Sequence, residues 1–169
     1  MTAPYRIAVV CLGNICRSPM AGVVLQDRVG RAGLEDRVEV VSAGTGDWHV
    51  GQPMDRRAAA VLIEHGHDPS EHRARQFQPE WFASLDLVLA MDAENRADLA
   101  ALCAQVGGDP DTVRMFRDFD PLAGDGDRDV PDPYYGGDDG FATVMAMVQR
   151  TAGAVVTWVE AQLLGSERE

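Results

Sequence analysis

Four short apolar runs, Tyr5 to Val10, Val38 to Val41, Leu85 to Met91 and Val113 to Phe116, are spaced along the chain with helical stretches between them. Strands that are apolar on both faces and alternate with helices predict a parallel sheet covered on both sides. The first intervening helix runs from Ser18-Pro19, with proline near its start, through Val23, Val24, Leu25 and Val29 to Gly33. Met54 to Glu64 is an Ala-rich helix stopped by Gly66, and Asp92 can cap a third helix that passes Leu99 and Leu102 and stops at Gly107-Gly108. Phe141 to Leu164, with Val144, Met145, Val148, Val155, Val156, Val159 and Leu163, closes the chain as an amphipathic helix. The expected fold class is therefore α/β, three-layered, with four parallel strands between helices, as one domain over residues 1–169.

Sheets of this kind bind ligands beyond the carboxyl ends of their strands, and Cys11 stands at such an end. From Cys11 to Arg17 the spacing is C-x5-R, between a strand and the start of a helix whose free N–H groups favour an anion. Gly13 and Asn14 readily enter left-handed backbone, so Leu12, Gly13, Asn14, Ile15 and Cys16 can curl their N–H groups inward as a nest for a tetrahedral oxyanion. Arg17 adds a planar fork for two phosphate oxygens, and Ser18 can donate its hydroxyl to the sulfur. A guanidinium, a helix start and hydrogen bonds all favour thiolate over thiol at Cys11, which makes it a nucleophile.

Composition narrows the partners. A net charge of -12 opposes nonspecific binding to nucleic acid or an anionic membrane. All fifteen basic residues are arginine, which removes the Walker lysine and any Schiff-base lysine. Three cysteines do not resemble a secreted disulfide framework, and no signal segment or run of about 20 apolar residues is visible, so a cytoplasmic protein is expected. Asp125, Asp127 and Asp129 have calcium-loop spacing, but Val130 replaces the glycine and Gly136 the bidentate glutamate. His49, His65, His67 and His72 have no metal-ligand spacing, so no metal is expected.

The stretch CLGNICRSP resembles the phosphate loop of the low-molecular-weight protein tyrosine phosphatases. SAGT at Ser42 to Thr45, HRARQ at His72 to Gln76, MD at Met91-Asp92 with Asn95 beyond, and DPYYG at Asp132 to Gly136 resemble family motifs in family order. The resemblance implies cofactor-free hydrolysis of phosphotyrosine on protein substrates through a phosphocysteine, with inorganic phosphate released. It further implies that Asp132, among eight aspartates between Arg117 and Gly140, protonates the leaving oxygen, and that Tyr134, Tyr135 and Trp48 line the cleft. Partial core burial stands beside that reading for Trp48. Ser42 and His72 resemble members of a network bracing the loop, and Cys11 and Cys16 a pair able to form a reversible disulfide. Gly22 departs from the family's usual glutamate and weakens the first helical turn.

Three other functions compete. An arsenate reductase would need further cysteines near the site, and Cys103 lies well along a helix. An arginine phosphatase of this fold carries a threonine where Ile15 stands. A phosphotyrosine-binding module or phosphocysteine carrier would have no use for an acid at Asp132.

Overall fold

In a computed structural model the fold is described for residues 3–167. Four parallel strands, β1 (Tyr5–Cys11), β2 (Val38–Gly44), β3 (Leu87–Ala90) and β4 (Val113–Met115), lie in the order β2-β1-β3-β4. Helices α1 (Arg17–Arg31), α2 (Arg56–Glu64), α3 (Ala93–Gln105) and α4 (Asp138–Glu167) connect and cover them. Among the described residues no helix is long and apolar enough to cross a membrane.

The pleat explains why the strands read as unbroken apolar runs. On β1 and β3 the odd-numbered Ile7, Val9, Leu87 and Leu89 enter one core, which α1, α2 and α4 complete with Met20, Leu25, Leu62, Val144 and Val148. The even-numbered Ala8, Val10, Val88 and Ala90 enter a second, with Leu99 of α3 and with Phe77 and Leu85. Alternate side chains point to opposite faces, so a strand covered on both faces must be apolar throughout.

Element boundaries differ from the sequence-based expectation in ways that bear on the site. Strand β2 continues three residues past Val41, carrying Ser42, Ala43 and Gly44 alongside Val9, Val10 and Cys11. Strand β3 is shorter than expected, because Leu85 lies in the turn after a 3₁₀ segment at Pro79–Ala83. Phe116 opens another 3₁₀ turn rather than ending β4. Helix α2 begins only at Arg56, because the Asp55 side chain accepts the Arg57 N–H and caps it. Helix α4 begins at Asp138, three residues before the apolar pattern starts.

Strand β1 is flanked by β2 on one side and β3 on the other, so the connections leaving β1 and β3 diverge at their carboxyl ends. This crevice is the topological switch point of an open parallel sheet. Cys11 ends β1 at its rim, and Asp92 follows β3 on the other side.

Candidate active site

The loop between β1 and α1 is built around Asn14. Its backbone is left-handed, with φ of 58°, and it is 1% exposed. Each of its polar groups has a partner: its N–H donates to the Cys11 sulfur at 3.3 Å, and its side-chain amide donates to Ser18 Oγ at 2.8 Å and Ser42 Oγ at 3.1 Å. Its Oδ1 accepts the Arg75 N–H at 3.0 Å, and its carbonyl accepts from His72 Nε2 at 2.7 Å. A carbonyl can only accept, so His72 carries its proton on Nε2. Burial pulls the His72 pKa below its ordinary value, against the hydrogen bond to Asn14. His72 is thus kept neutral at pH 7 and serves as a brace.

The SAGT and HRARQ motifs meet behind this loop. Thr45 and Gly46 N–H donate to the carbonyls of Cys11 and Leu12, both at 2.9 Å, while Gly44 exchanges bonds with Arg75 and Phe77. A Cβ at Gly44 would stand 2.6 Å from the Leu12 carbonyl oxygen, so only glycine lets β2 pass this close under the loop. Gly22 packs α1 against the same strand, where a Cβ would meet Ser42 Cβ at 3.3 Å.

With the loop bent in this way, the N–H groups of Gly13, Ile15 and Cys16 have no acceptor among the described residues, and the same three residues line a cavity of about 340 Å³. Cys11 is buried at the base of the cavity, its sulfur 3.0 Å from Ser18 Oγ. A thiolate can only accept, so in that state Ser18 turns its proton to the sulfur. At Cys16, burial, then Asp55 and Cys11, push the thiol up to about 12, which keeps it protonated. All three cysteines are free thiols.

The Arg17 side chain is 4% exposed and its orientation is fixed by two acceptors on one nitrogen. Nη1 donates to Asp92 Oδ2 at 2.5 Å and to the Val130 carbonyl at 3.1 Å, while Nη2 lies 3.7 Å from Asp132 Oδ2. Burial pulls the guanidinium toward neutrality, but the Cys11 sulfur, Asp92 and Asp132 outweigh it and raise its pKa. Asp92 has two jobs: Oδ1 caps α3 through the Asn95 N–H at 2.7 Å, and Oδ2 holds Arg17. The cap was legible in the sequence. The arginine partner was missed, although the placement of Asp92 just after a strand beside Cys11 was a usable signal.

Opposite the loop, Asp132 is 39% exposed, and its Oδ1 accepts the Tyr134 N–H at 3.0 Å. Tyr134 and Tyr135 pack edge to face, with centroids 5.0 Å apart, and Tyr135 is 90% exposed. Trp48 is 67% exposed and lines the cavity rather than the core, its ring folded over Gly46. His49, read from sequence as an ordinary histidine, lines the same cavity beside Gly13. Its isolation in the sequence gave no sign of this. The arrangement joins a buried sulfur, a nest of free N–H groups, a fixed guanidinium and a carboxyl at the rim between flat rings, which suits a tetrahedral anion carried on an aromatic group.

Comparison with known proteins agrees with this chemistry. Residues 6–164 match the family model described as low molecular weight phosphotyrosine protein phosphatase. The chain belongs to that family. A low molecular weight protein-tyrosine-phosphatase of Streptomyces coelicolor is 49% identical over 161 residues, covering 95% of this chain and 97% of the relative. The low molecular weight protein-tyrosine phosphatase A of Mycobacterium tuberculosis is 44% identical over 163 residues, 96% of each chain. Among solved structures, a protein tyrosine phosphatase from Entamoeba histolytica with Hepes in its active site superposes with a TM-score of 0.86 at 30% identity, covering 94% of this chain and 98% of that one. The protein is a cysteine-dependent tyrosine phosphatase of the low-molecular-weight type.

Proposed function

We propose that Cys11, Arg17 and Asp132 carry the reaction and that the substrates are tyrosine-phosphorylated proteins. The observation that carries this is the placement of exposed Asp132 3.7 Å from the Arg17 guanidinium, in the lining of the cavity that also holds the buried Cys11. The sulfur attacks phosphorus in line with the tyrosyl oxygen. As the S–P bond forms and the P–O bond breaks, Asp132 gives its proton to the departing oxygen. Arg17 and the N–H groups of Gly13, Ile15 and Cys16 hold the three equatorial oxygens, whose charge spreads in the transition state. Water then attacks phosphorus, its proton passes to the Asp132 carboxylate, and the S–P bond breaks to release inorganic phosphate and the thiolate.

Depth favours phosphotyrosine over phosphoserine, because the sulfur is buried and a phenyl ring supplies the reach between Trp48 and Tyr134. Cys103 is buried on α3, with its thiol directed to the Asp109 carbonyl and outside the cavity lining, so it offers no thiol relay for arsenate reduction. Ile15, in the lining, has no hydroxyl for a guanidinium group.

The test is a turnover assay on matched phosphotyrosine, phosphoserine and phosphoarginine peptides and on arsenate with a thiol reductant, for the wild type and for Cys11→Ser. Turnover of phosphotyrosine alone, abolished in the variant, is expected. Substantial hydrolysis by Cys11→Ser, or faster turnover of phosphoarginine, overturns the proposal.

A further inference from the structure

Residues 132–137 carry the proposed acid yet make few bonds to the rest of the fold. Within the segment, Tyr134 N–H donates to Asp132 and Gly136 N–H to the Pro133 carbonyl. Among the described residues, the side-chain hydrogen bonds that reach this segment from another element come from Arg57, near the start of α2; the Gly137 carbonyl also accepts the Gly140 N–H of the adjoining α4 at 3.1 Å. Its Nη2 donates to the Tyr134 carbonyl at 3.0 Å and its Nη1 to the Gly136 carbonyl at 3.4 Å. The same guanidinium lies 5.6 Å from the centre of the Tyr134 ring and 4.6 Å from that of Phe141, at the start of α4. Arg57 is also gripped by Asp55, through Nε at 3.3 Å and Nη2 at 3.2 Å, and the Asp55 N–H donates to the Ile15 carbonyl at 2.9 Å.

A half-buried ion pair between residues two apart on the molecule's surface contributes modestly to stability. Here, however, the pair links two walls of one cavity: Ile15 of the phosphate loop, Asp55, Arg57, then the carbonyls on either side of Tyr135. The near end of the acid segment is fixed separately, since Val130 donates its N–H to Met91 and accepts from Arg17. Asp132 therefore sits on a short span tied at Val130 and, through Arg57, at Tyr134 and Gly136.

We propose that Arg57 is a positioning residue for general-acid catalysis: it sets the distance from Asp132 to the leaving oxygen by tying the DPYYG segment to the element that braces the phosphate loop. This rests on Asp132 being the acid. A misplaced acid loses most where the leaving group most needs protonation, and little where the leaving phenol is already acidic.

The experiment measures kcat/KM for aryl phosphates whose phenols span a range of pKa, using Arg57→Met, Arg57→Lys, Asp132→Asn and the Arg57→Met/Asp132→Asn double variant. For Arg57→Met the loss should rise with phenol pKa, to on the order of 10- to 100-fold for phenyl phosphate. Arg57→Lys, which keeps the charge but not the fork, should fall between it and wild type. The double variant should be no worse than Asp132→Asn alone. A loss independent of the phenol, no loss, or additive losses in the double variant overturns the role of Arg57. If Asp132→Asn itself shows no dependence on the phenol, the acid assignment fails instead. Should Arg57→Met not fold, the slope for Arg57→Lys decides.

Discussion

Asn14 and Asp132 lie on opposite sides of one cavity and are held in opposite ways. Asn14 is buried in a strained backbone conformation with every polar group engaged, by residues from β1, α1, β2 and the segment before Phe77. Asp132 is well exposed, bonded to its own segment, and only loosely paired with Arg17. The side proposed to hold spreading negative charge meets its organisational cost during folding, so that nothing need rearrange at the moment of reaction. The side proposed to gain and lose a proton, and to admit a ring, stays near water on a span with few ties. The walls should therefore fail differently: damage to the loop lowers turnover of every substrate, whereas damage to the acid side depends on the substrate.

The largest effect that tests this contrast comes from Arg17→Lys, which keeps the charge but removes the fork that Asp92 and Val130 hold in place. Its kcat should fall by about 10³, or roughly 4 kcal/mol of barrier, to a similar degree for activated and unactivated aryl phosphates. A loss under tenfold in steady-state assays would show that charge alone suffices. Next, Asn14→Ala strands the Arg75 N–H, takes an amide donor from the Ser18 and Ser42 hydroxyls, and leaves a residue with a Cβ in left-handed backbone. It should cost about 2 kcal/mol, seen as a thermal midpoint lower by about 4–8 °C, and lower kcat more than it raises KM. An unchanged midpoint would mean that the loop does not depend on its network.

A third variant separates the root of the acid segment from its tip. Buried Arg117 donates to Asp120 and to the Asp129 carbonyl, just before Val130, and Arg150 adds two bonds to Asp120. Burial raises the Asp120 carboxyl, but Arg150, Arg117 and the Leu122 N–H overcome it and hold the group well below the usual carboxylate range. A carboxyl depressed on folding contributes stability above its unfolded pKa of about 4, and that contribution is lost as pH falls from there toward the folded value. Asp120→Asn should thus lower stability at pH 7 by about 2 kcal/mol and flatten the fall below about pH 4, by denaturant unfolding at each pH. Its dependence on the leaving group should match wild type. A steeper dependence would show that the root also sets the position of the acid. The smallest effect belongs to Trp48→Ala at the open rim, where KM for a phosphotyrosine peptide should rise about threefold with kcat unchanged, a difference of about 0.6 kcal/mol. A larger fall in kcat would place Trp48 in the chemical step.

How much of this the residues disclosed follows the same division. The four-stranded parallel sheet was legible because Ile7 to Val10 and Leu87 to Ala90 are apolar at odd and even positions alike, as burial on both faces requires. The loop was legible because C-x5-R with Gly13 and Asn14 is local: seven consecutive residues contain both the bend and the charge. Partners brought in by tertiary folding were not. Asp92 was read as a helix cap because capping is a short-range property, whereas its hold on Arg17 spans 75 residues. Arg57 stood in the sequence as one of fifteen arginines, and nothing within a turn of it points to carbonyls 77 and 79 residues away. His49 reached the cavity only through the fold of the Gly-rich stretch around Trp48.

In the proposed mechanism the sulfur cupped by the loop, and not its neighbour five residues on, receives the phosphoryl group. The direct measurement mixes Asp132→Asn with an activated aryl phosphate, quenches within milliseconds into alkaline denaturant, and maps the modified cysteine by peptide mass spectrometry. One phosphoryl group on Cys11, accumulating in a burst equal to the enzyme concentration, is the expected result. Phosphate on Cys16, whose thiol is pushed up to about 12, or turnover with no covalent phosphoenzyme, would contradict it.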